Sequence, residues 1–201
     1  MLYPLPAVMV SCAREGEKPN IITVAWAGTI CSGPAMVYIS VRPERYSYEI
    51  IRETKEFVIN LTTEDLTWAT DYCGVRSGRD VDKFAETGLT PEKAQHLNYA
   101  PVIEESPVNI ECRVLEIKEL GTHHMFLAEV VGVSVDEAYL DEKGRFDLNR
   151  TGLVAYSHGS YMTLGEACGS FGYSVRRKKR KPESGRRKAQ QKRKAERRNR
   201  K

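Results

Sequence analysis

Three stretches of the sequence combine residue types that could bind a flat ring and a phosphate group. The first, residues 20–28, is an uncharged run of mostly small residues that contains Thr23, Trp26 and Gly28. Small side chains let a planar ring approach the backbone, whose amides can then donate to ring oxygens and nitrogens and stabilise negative charge on the ring. The same composition is typical of an ordinary core strand, so both interpretations stay open at this point.

The second stretch, residues 40–47, joins a predicted strand end to a predicted helix start and carries Arg42 and Arg45. Amides at a helix N-terminus, a serine hydroxyl and two guanidinium groups could together bind a phosphate. A solvated turn with surface arginines explains the same residues equally well. The stretch therefore indicates an anion site without excluding a plain turn.

The third stretch, residues 77–84, places Ser77, Gly78 and Lys83 in a polar loop. Lysine can act there as a point charge for phosphate. A polar surface loop is the alternative interpretation. The surrounding segment, residues 74–100, has little periodicity, and loops of that length inside a compact domain are often functional.

Several standard catalytic signatures are absent from the sequence. It contains no G-x-x-x-x-G-K-[ST] phosphate loop, no G-x-G-x-x-G dinucleotide fingerprint and no G-x-S-x-G nucleophile elbow. The neighbours His123 and His124 would leave opposite faces of a strand, so we predict no metal site. A cofactor that performs the hard chemistry fits this pattern, because the protein then supplies mainly amides, hydroxyls and cations.

Charge divides the chain into two parts. Residues 176–201 hold 16 of the 31 basic residues and 2 of the 27 acidic ones, which leaves 15 basic and 25 acidic residues in 1–175. Because no large apolar residue follows Val175, we predict a folded domain over 1–175 and a disordered basic tail over 176–201. The tail could stay solvated, fold as a helix on a partner, or bind nucleic acid or another polyanion in a salt-dependent way.

Cysteine usage and hydropathy predict a cytoplasmic protein without a transmembrane segment. The five cysteines are widely spaced and form no C-x-x-C pair, which favours reduced thiols. Residues 19–41 are uncharged and long enough to span a bilayer, but polar residues and the turn signal at 32–34 interrupt them. Two buried strands around a turn explain this run better than a membrane helix.

The elements that must position these stretches are mainly strands. Alternation and turn signals predict strands at 7–13, 20–27, 35–41, 56–61, 107–118, 123–135 and 153–156. Helical periodicity and capping residues predict helices at 44–54 and 62–72. Sequential strands with one or two inserted helices predict a closed antiparallel barrel.

Six motifs occur in order along the chain, at residues 19–26, 41–51, 54–61, 73–84, 121–130 and 169–174. Together they resemble the flavin reductase-like family, the FMN-binding split barrels, and within it the flavoredoxin-type branch. The resemblance spans residues 1–175. It implies a six-stranded antiparallel split β-barrel with a few helices, usually a homodimer, which binds FMN non-covalently near the subunit interface.

The resemblance also assigns residues to the cofactor. The implied FMN-binding residues are Asn20, Thr23, Val24, Ala25, Trp26, Ala27, Gly28, Arg42, Arg45, Tyr46, Ser47, Asn60, Ser77, Gly78 and Lys83. The ring edge would lie along residues 23–28, and the phosphate would meet residues 42–47. His123 matches the family histidine near the ring or an incoming nicotinamide, which makes it the catalytic candidate; a hydrogen-bonded strand histidine is the alternative. Thr122 replaces the family's common aspartate.

The implied activity is that of an NAD(P)H-dependent flavin reductase, with NADH or NADPH as co-substrate, or of a flavoredoxin-like electron carrier. The electron partner would be a nicotinamide nucleotide or a redox protein. The alternative function is a split-barrel scaffold without redox activity that binds nucleic acid through its basic tail, since one fold can host several functions.

Overall fold

Strands dominate residues 2–176, the part of the chain that the computed structural model describes, and α-helices are few there. The strands are β1 (Leu5–Pro6), β2 (Val8–Cys12), β3 (Asn20–Val24), β4 (Ala27–Ser32), β5 (Ala35–Val41), β6 (Glu56–Leu61), β7 (Pro91–Glu92), β8 (Val102–Ile103), β9 (Val108–Leu120), β10 (His123–Val135), β11 (Val154–Ser157) and β12 (Ser160–Thr163). The helices are α1 (Tyr46–Thr54), α2 (Thr67–Val75) and α3 (Lys83–Thr87). The predicted mainly β fold with few helices is confirmed.

The main sheet has seven antiparallel strands in the order β3-β2-β6-β9-β10-β5-β4. The strands predicted at 107–118 and 123–135 form its long β9–β10 hairpin, in which His123 lies opposite Leu120. Within residues 2–176 no strand pair joins β3 to β4, so the predicted count of six strands and a closed hydrogen-bonded barrel are not confirmed.

The additional strand arises where one strand was predicted over residues 20–27. The chain leaves β3 at Val24 and enters β4 at Ala27, at the opposite edge of the sheet, so only Ala25 and Trp26 link the two edges. The Ser40 amide donates to the Trp26 carbonyl at 2.8 Å, which fixes this link against β5. β4 and β5 then form a hairpin at the turn predicted for residues 32–34, but β4 is half-buried to exposed and is not the buried strand predicted before that turn.

The core lies between the main sheet and α1. Ile50 and Ile51 of α1 are buried against Phe57, Ile39 and Phe126 of the sheet. Full burial of each such side chain contributes about 1.5–3 kcal/mol. This packing sets the position of α1 and therefore of its N-terminus.

A second apolar cluster fixes the segment that follows β6. Cys73 of α2 and Phe84 of α3 pack with Met9, Ile21 and Ile103. The predicted helix over 62–72 begins later, at Thr67, because a turn first forms in which the Leu66 amide donates to the Thr63 carbonyl. The cluster holds the loop between α2 and α3 beside β3.

Two buried carboxylates hold the irregular segment 95–99 on the sheet. Glu56 of β6 and Glu111 of β9 are both less than 5% exposed. Their oxygens accept from backbone amides of the segment: Asn98 (2.9 Å) and Tyr99 (3.0 Å) for Glu56, and Gln95 (3.1 Å) and His96 (2.6 Å) for Glu111. Such hydrogen bonds compensate the desolvation of a buried charge.

Contacts divide the chain into one unit that ends at Leu164 and a second that begins at Gly165. The described part of the second unit contains a 3-10 turn, Tyr173–Val175. The division predicted between 175 and 176 stays a prediction, and the basic tail with its nucleic-acid hypothesis lies, from residue 177 onward, outside the described residues. In residues 2–176 no helix has the length and apolar character needed to cross a membrane.

Candidate functional site

A groove follows β3 and the N-terminus of α1, and it consists of two clefts that share Ile22 and Arg45. The strand cleft, about 180 Å³, contains six predicted site residues: Thr23, Val24, Ala25, Trp26, Arg42 and His123. The helix cleft, about 390 Å³, contains six others: Asn20, Tyr46, Ser47, Ser77, Gly78 and Lys83. With the shared Arg45, the structure brings most of the predicted residues into one groove.

Backbone forms one wall of the strand cleft. Ala25 and Trp26 lie between two edge strands, and their amides donate to no acceptor in the described part of the chain. Amides left unpaired in this way are available to a ligand that offers acceptor atoms. The wall can therefore donate hydrogen bonds to acceptor atoms along the edge of a planar group.

An aromatic pair lies at the strand cleft. The centroids of the Trp26 and His123 rings are 4.3 Å apart, with their planes tilted by 42°. Thr122 Oγ1 lies 3.0 Å from His123 Nδ1, so a hydroxyl occupies the place where a carboxylate could orient the ring. Burial and, second, the Arg42 guanidinium hold the pKa of His123 below its ordinary value, which keeps the imidazole neutral at pH 7.

The N-terminus of α1 faces the helix cleft without an internal cap. Arg45 is the N-cap residue, with extended φ and ψ, and its side chain makes no capping hydrogen bond. The amides of Tyr46 and Ser47 donate to no acceptor among residues 2–176. Free amides and the positive end of the helix dipole make this end suited to an anion.

Cations surround this helix end. Arg45, Arg76 and Arg79 line the helix cleft, and Glu44 is the one acidic residue among its lining residues. Glu44 pairs with Arg42 at 2.7 Å. The cleft therefore has an excess of positive charge, which favours a negatively charged group.

Gly78 lets the loop between α2 and α3 approach the groove. A Cβ at this position would overlap Asn20 Oδ1 and lie 2.7 Å from Tyr46 Cδ1. Asn20 in turn donates from Nδ2 to Ser47 Oγ at 2.7 Å, and both side chains are more than nine-tenths buried. Only glycine lets the backbone pass this close to the pair.

Lys83 has a different environment from the polar loop predicted for it. It begins α3 and is 3% exposed, and its Nζ donates to the Ile21 and Cys73 carbonyls, each at 2.7 Å. The ammonium thus ties β3 to the last turn of α2 beneath the helix cleft. Burial lowers its pKa to about 8, and the nearby Arg45 acts in the same direction.

Three predicted site residues line neither cleft: Ala27, Gly28 and Asn60. Gly28 lies against Tyr38, where an added Cβ would be 2.8 Å from the ring. Asn60 is fully buried; its Nδ2 donates to the Met9 carbonyl at 2.9 Å, and its Oδ1 accepts from the Ile103 amide at 3.0 Å. Its amide is satisfied within the protein, so Asn60 stabilises packing and is not presented to the groove.

Sequence reasoning missed two arginines of the helix cleft. Arg79 lies with its guanidinium 5.5 Å from the centroid of the Tyr46 ring and donates to the Glu44 carbonyl at 3.1 Å. Arg76 lies just outside the third stretch. Several basic residues close to Ser77 are the sequence feature that could have indicated these two arginines. Which of them point into the cleft depends on the fold of the loop.

No metal-binding group of three or more His, Cys, Asp or Glu side chains occurs in the described residues. All five cysteines are free, and Cys12, Cys73 and Cys112 are buried. Burial raises the pKa of the Cys73 thiol, which lines the helix cleft, to about 11. This thiol is therefore protonated at neutral pH.

Comparison with known proteins gives a family match and similar structures. The family model described as "Flavin reductase like domain" matches residues 1–165. The flavoredoxin of Desulfovibrio vulgaris (Miyazaki F) superposes with a TM-score of 0.81 at 32% identity, over 88% of this chain and 95% of that one. The flavoredoxin of Methanosarcina acetivorans gives 0.78 at 29% identity, with the same coverage.

A relative with a named activity also matches. The reductase component of a 4-nitrophenol 4-monooxygenase/4-nitrocatechol 2-monooxygenase of Rhodococcus opacus is 30% identical over 128 residues. The match covers 61% of this chain and 62% of that protein.

Proposed function

The chain belongs to the flavin reductase-like family, and on that premise we propose that it is an oxidoreductase that binds FMN non-covalently in the groove. It acts either as an NAD(P)H-dependent flavin reductase or as a flavoredoxin-like electron carrier. The observation that carries this proposal is the continuity of the two clefts through Ile22 and Arg45. Unpaired amides of the strand cleft lie next to the cationic helix terminus of the helix cleft. A ligand in which a planar ring is joined to a phosphate needs these two environments side by side.

The helix cleft suits the phosphate of FMN. Amides of Tyr46 and Ser47 would donate to its oxygens, and the Arg45 guanidinium would pair with its charge. Gly78 leaves room for the loop that carries Ser77, a further hydroxyl donor. Lys83 supports this end from beneath, because its ammonium is held by two carbonyls and is not free to extend into solvent.

The strand cleft suits the isoalloxazine ring, which when bound supplies the hydride- and electron-accepting chemistry. The amides of Ala25 and Trp26 would donate to acceptor atoms at the ring edge and favour negative charge there. His123, neutral at pH 7, would offer a hydrogen bond beside Trp26 at the open rim, where a nicotinamide or a redox protein would approach. We keep His123 as the catalytic candidate.

We propose a homodimer as the working assembly. Leu115, Leu120 and Val133 of the β9–β10 hairpin are each more than half exposed. A second copy of the chain that covers this hairpin would remove these apolar side chains from water. Sedimentation equilibrium would measure the mass; a monomer at micromolar concentration would contradict the dimer and leave the flavin proposal intact.

Flavin binding and reduction test the proposal directly. The purified chain should take up FMN in a fluorescence titration, and the bound flavin should lose its yellow colour when NADH or NADPH is added without oxygen. Bleaching by a reduced redox protein alone would assign the electron-carrier role. A chain that takes up no FMN would contradict the proposal, and RNA binding by that chain would support the scaffold alternative.

A further inference from the structure

We propose that Tyr48 and His124 are positioning residues that hold the first turn of α1 in the orientation that a phosphate group needs. This inference rests on the proposed flavin-binding function. Tyr48 is the third residue of α1, and its hydroxyl oxygen lies 2.7 Å from Nδ1 of His124 in β10. Neither residue lines the strand cleft or the helix cleft, so the pair acts on the groove through the helix and not by contact with a ligand.

The backbone of Tyr48 closes the helix start. Its amide donates to the Arg45 carbonyl at 3.0 Å, and the turn closed in this way contains the amides of Tyr46 and Ser47, which donate to no acceptor among residues 2–176. The direction of these two amides therefore depends on where the Tyr48 side chain holds the turn. Amides at a helix N-terminus bind an anion when they point at it, so a rotation of the turn weakens binding.

The side chain of Tyr48 contacts β10 at two points. Its ring centroid lies 5.4 Å from that of His124 and 5.3 Å from that of Phe126, with the planes tilted by 74° and 73°. Tyr48 is buried, and burial raises the pKa of its phenol, so the hydroxyl is protonated at neutral pH and can donate to Nδ1. A phenylalanine would fill the same core position. The hydroxyl adds a directional bond that fixes the ring, and with it the turn, against the strand.

β10 supports both ends of the groove through two consecutive histidines. Side chains of neighbouring residues leave opposite faces of a strand. His123 lies beside Trp26 in the strand cleft, whereas His124 lies beside Tyr48 of α1. His124 is also paired with Val41, the last residue of β5, directly before the segment that leads into α1. The strand that carries the catalytic candidate therefore also supports the phosphate end.

Fluorescence titrations with FMN and with riboflavin, which has the ring but no phosphate, test this inference. Tyr48→Phe should raise the dissociation constant for FMN by about three- to tenfold, the scale of one lost hydrogen bond, and change that for riboflavin by less than about twofold. His124→Leu should have the same effect. His124→Asn places an amide oxygen near the position of Nδ1 and should restore most of the FMN affinity.

Tyr161→Phe is the matched control. It also removes a tyrosine hydroxyl with a hydrogen-bond partner, Asp71 Oδ1 at 3.2 Å, but neither residue lines the two clefts of the groove. Its affinity for both flavins should equal that of the wild type. The double variant Tyr48→Phe/His124→Leu should bind FMN about as well as either single variant, because both changes remove the same bond.

The outcomes separate this inference from the proposed function. Equal losses for FMN and riboflavin, wild-type FMN affinity in Tyr48→Phe, or additive losses in the double variant would overturn the inference while the proposed function stands. A wild-type chain that binds neither flavin would contradict the proposed function itself. Tyr48→Phe keeps the buried ring and its packing, so it decides the question even where the larger change at His124 impairs folding.

Discussion

Two regions of the molecule place charged side chains beside backbone amides, and they do so in opposite ways. At segment 95–99 the carboxylates of Glu56 and Glu111 are buried and bonded to amides of the same chain. At the groove, the amides at the start of α1 have no acceptor among residues 2–176, and Glu44, the one acidic residue that lines the helix cleft, pairs with Arg42. Charge that is satisfied internally fixes the fold, whereas donors left unpaired beside cations provide a site for a ligand.

The largest effect is expected when a buried carboxylate that accepts hydrogen bonds from segment 95–99 is removed. Glu111→Ala would leave the part-buried amides of Gln95 and His96 without their acceptor, at up to about 1–3 kcal/mol for each orphaned group. The free energy of unfolding in urea should fall by about 2–5 kcal/mol. Glu116→Ala, an exposed glutamate of the same strand, should change it by less than about 0.5 kcal/mol. Equal effects would contradict the structural role assigned to Glu111.

The second prediction concerns the cationic side of the comparison. Arg45→Ala should weaken FMN binding by about 1.5–3 kcal/mol, the scale of a hydrogen bond to a charged group, with little change in unfolding free energy. Arg52→Ala changes an exposed arginine in the last turn of the same helix and should leave FMN affinity as it is. A fluorescence titration that gives wild-type affinity for Arg45→Ala would remove this residue from the site.

The third prediction uses the pH dependence of Lys83. Its folded pKa, about 8, lies below the unfolded value of 10.5, so folding disfavours the charged form and the unfolded chain holds more protons between these values. Stability of the flavin-free protein should therefore rise as pH increases from about 8 to about 10.5. FMN affinity should fall over the lower part of that range, by about 1–2 kcal/mol, as the ammonium loses its charge beneath the phosphate.

Lys83→Met provides the control for that pH dependence. The variant cannot titrate, so its FMN affinity should already be weak at pH 7 and should vary little from pH 7 to 9.5. Arg14→Gln is the matched control, because Arg14 pairs with Glu53 away from the groove, and its FMN affinity should follow the pH dependence of the wild type. A pH profile of Lys83→Met that matches the wild type would show that another group titrates.

The smallest expected effect is at the rim of the strand cleft. Thr122→Ala removes the hydroxyl that lies 3.0 Å from His123 Nδ1. The activation free energy for turnover with NADH should rise by about 0.5–1.5 kcal/mol, so the turnover rate should fall. FMN affinity should be retained, because Thr122 lines neither cleft of the groove. A loss of FMN binding in this variant would mean that the hydroxyl supports the cleft and not the histidine.

Local patterns predicted much of the site. The helix start after Pro43, the uncharged strand from Asn20 and the Ser-Gly pair at residues 77–78 are visible as composition and turn chemistry. These three stretches do meet in one groove. Local sequence patterns could predict these stretches because each lies on a strand or helix whose hydrophobic periodicity or starting residues are close to it in the sequence.

Long-range partners explain what local patterns could not predict. Asn60 bonds to Met9 and Ile103, residues 51 and 43 positions away, so its burial follows from strand pairing and not from its neighbours. The sequence predicts Lys83 as a cation in a polar loop, whereas in the folded chain its ammonium donates to carbonyls of β3 and α2. The sequence predicts one continuous strand across the break between β3 and β4, because Ala25 and Trp26 differ little in composition from their neighbours.

The two-residue link between β3 and β4 constrains how the gene for this protein can be edited. One inserted residue there would shift β3 against β2 or β4 against β5, and a shift of one position turns every side chain of the strand to its other face. The exposed turn at residues 141–144, by contrast, contacts neither cleft and could accept a reporter or an affinity peptide. Fusion partners for this chain therefore belong in that turn and never beside Trp26.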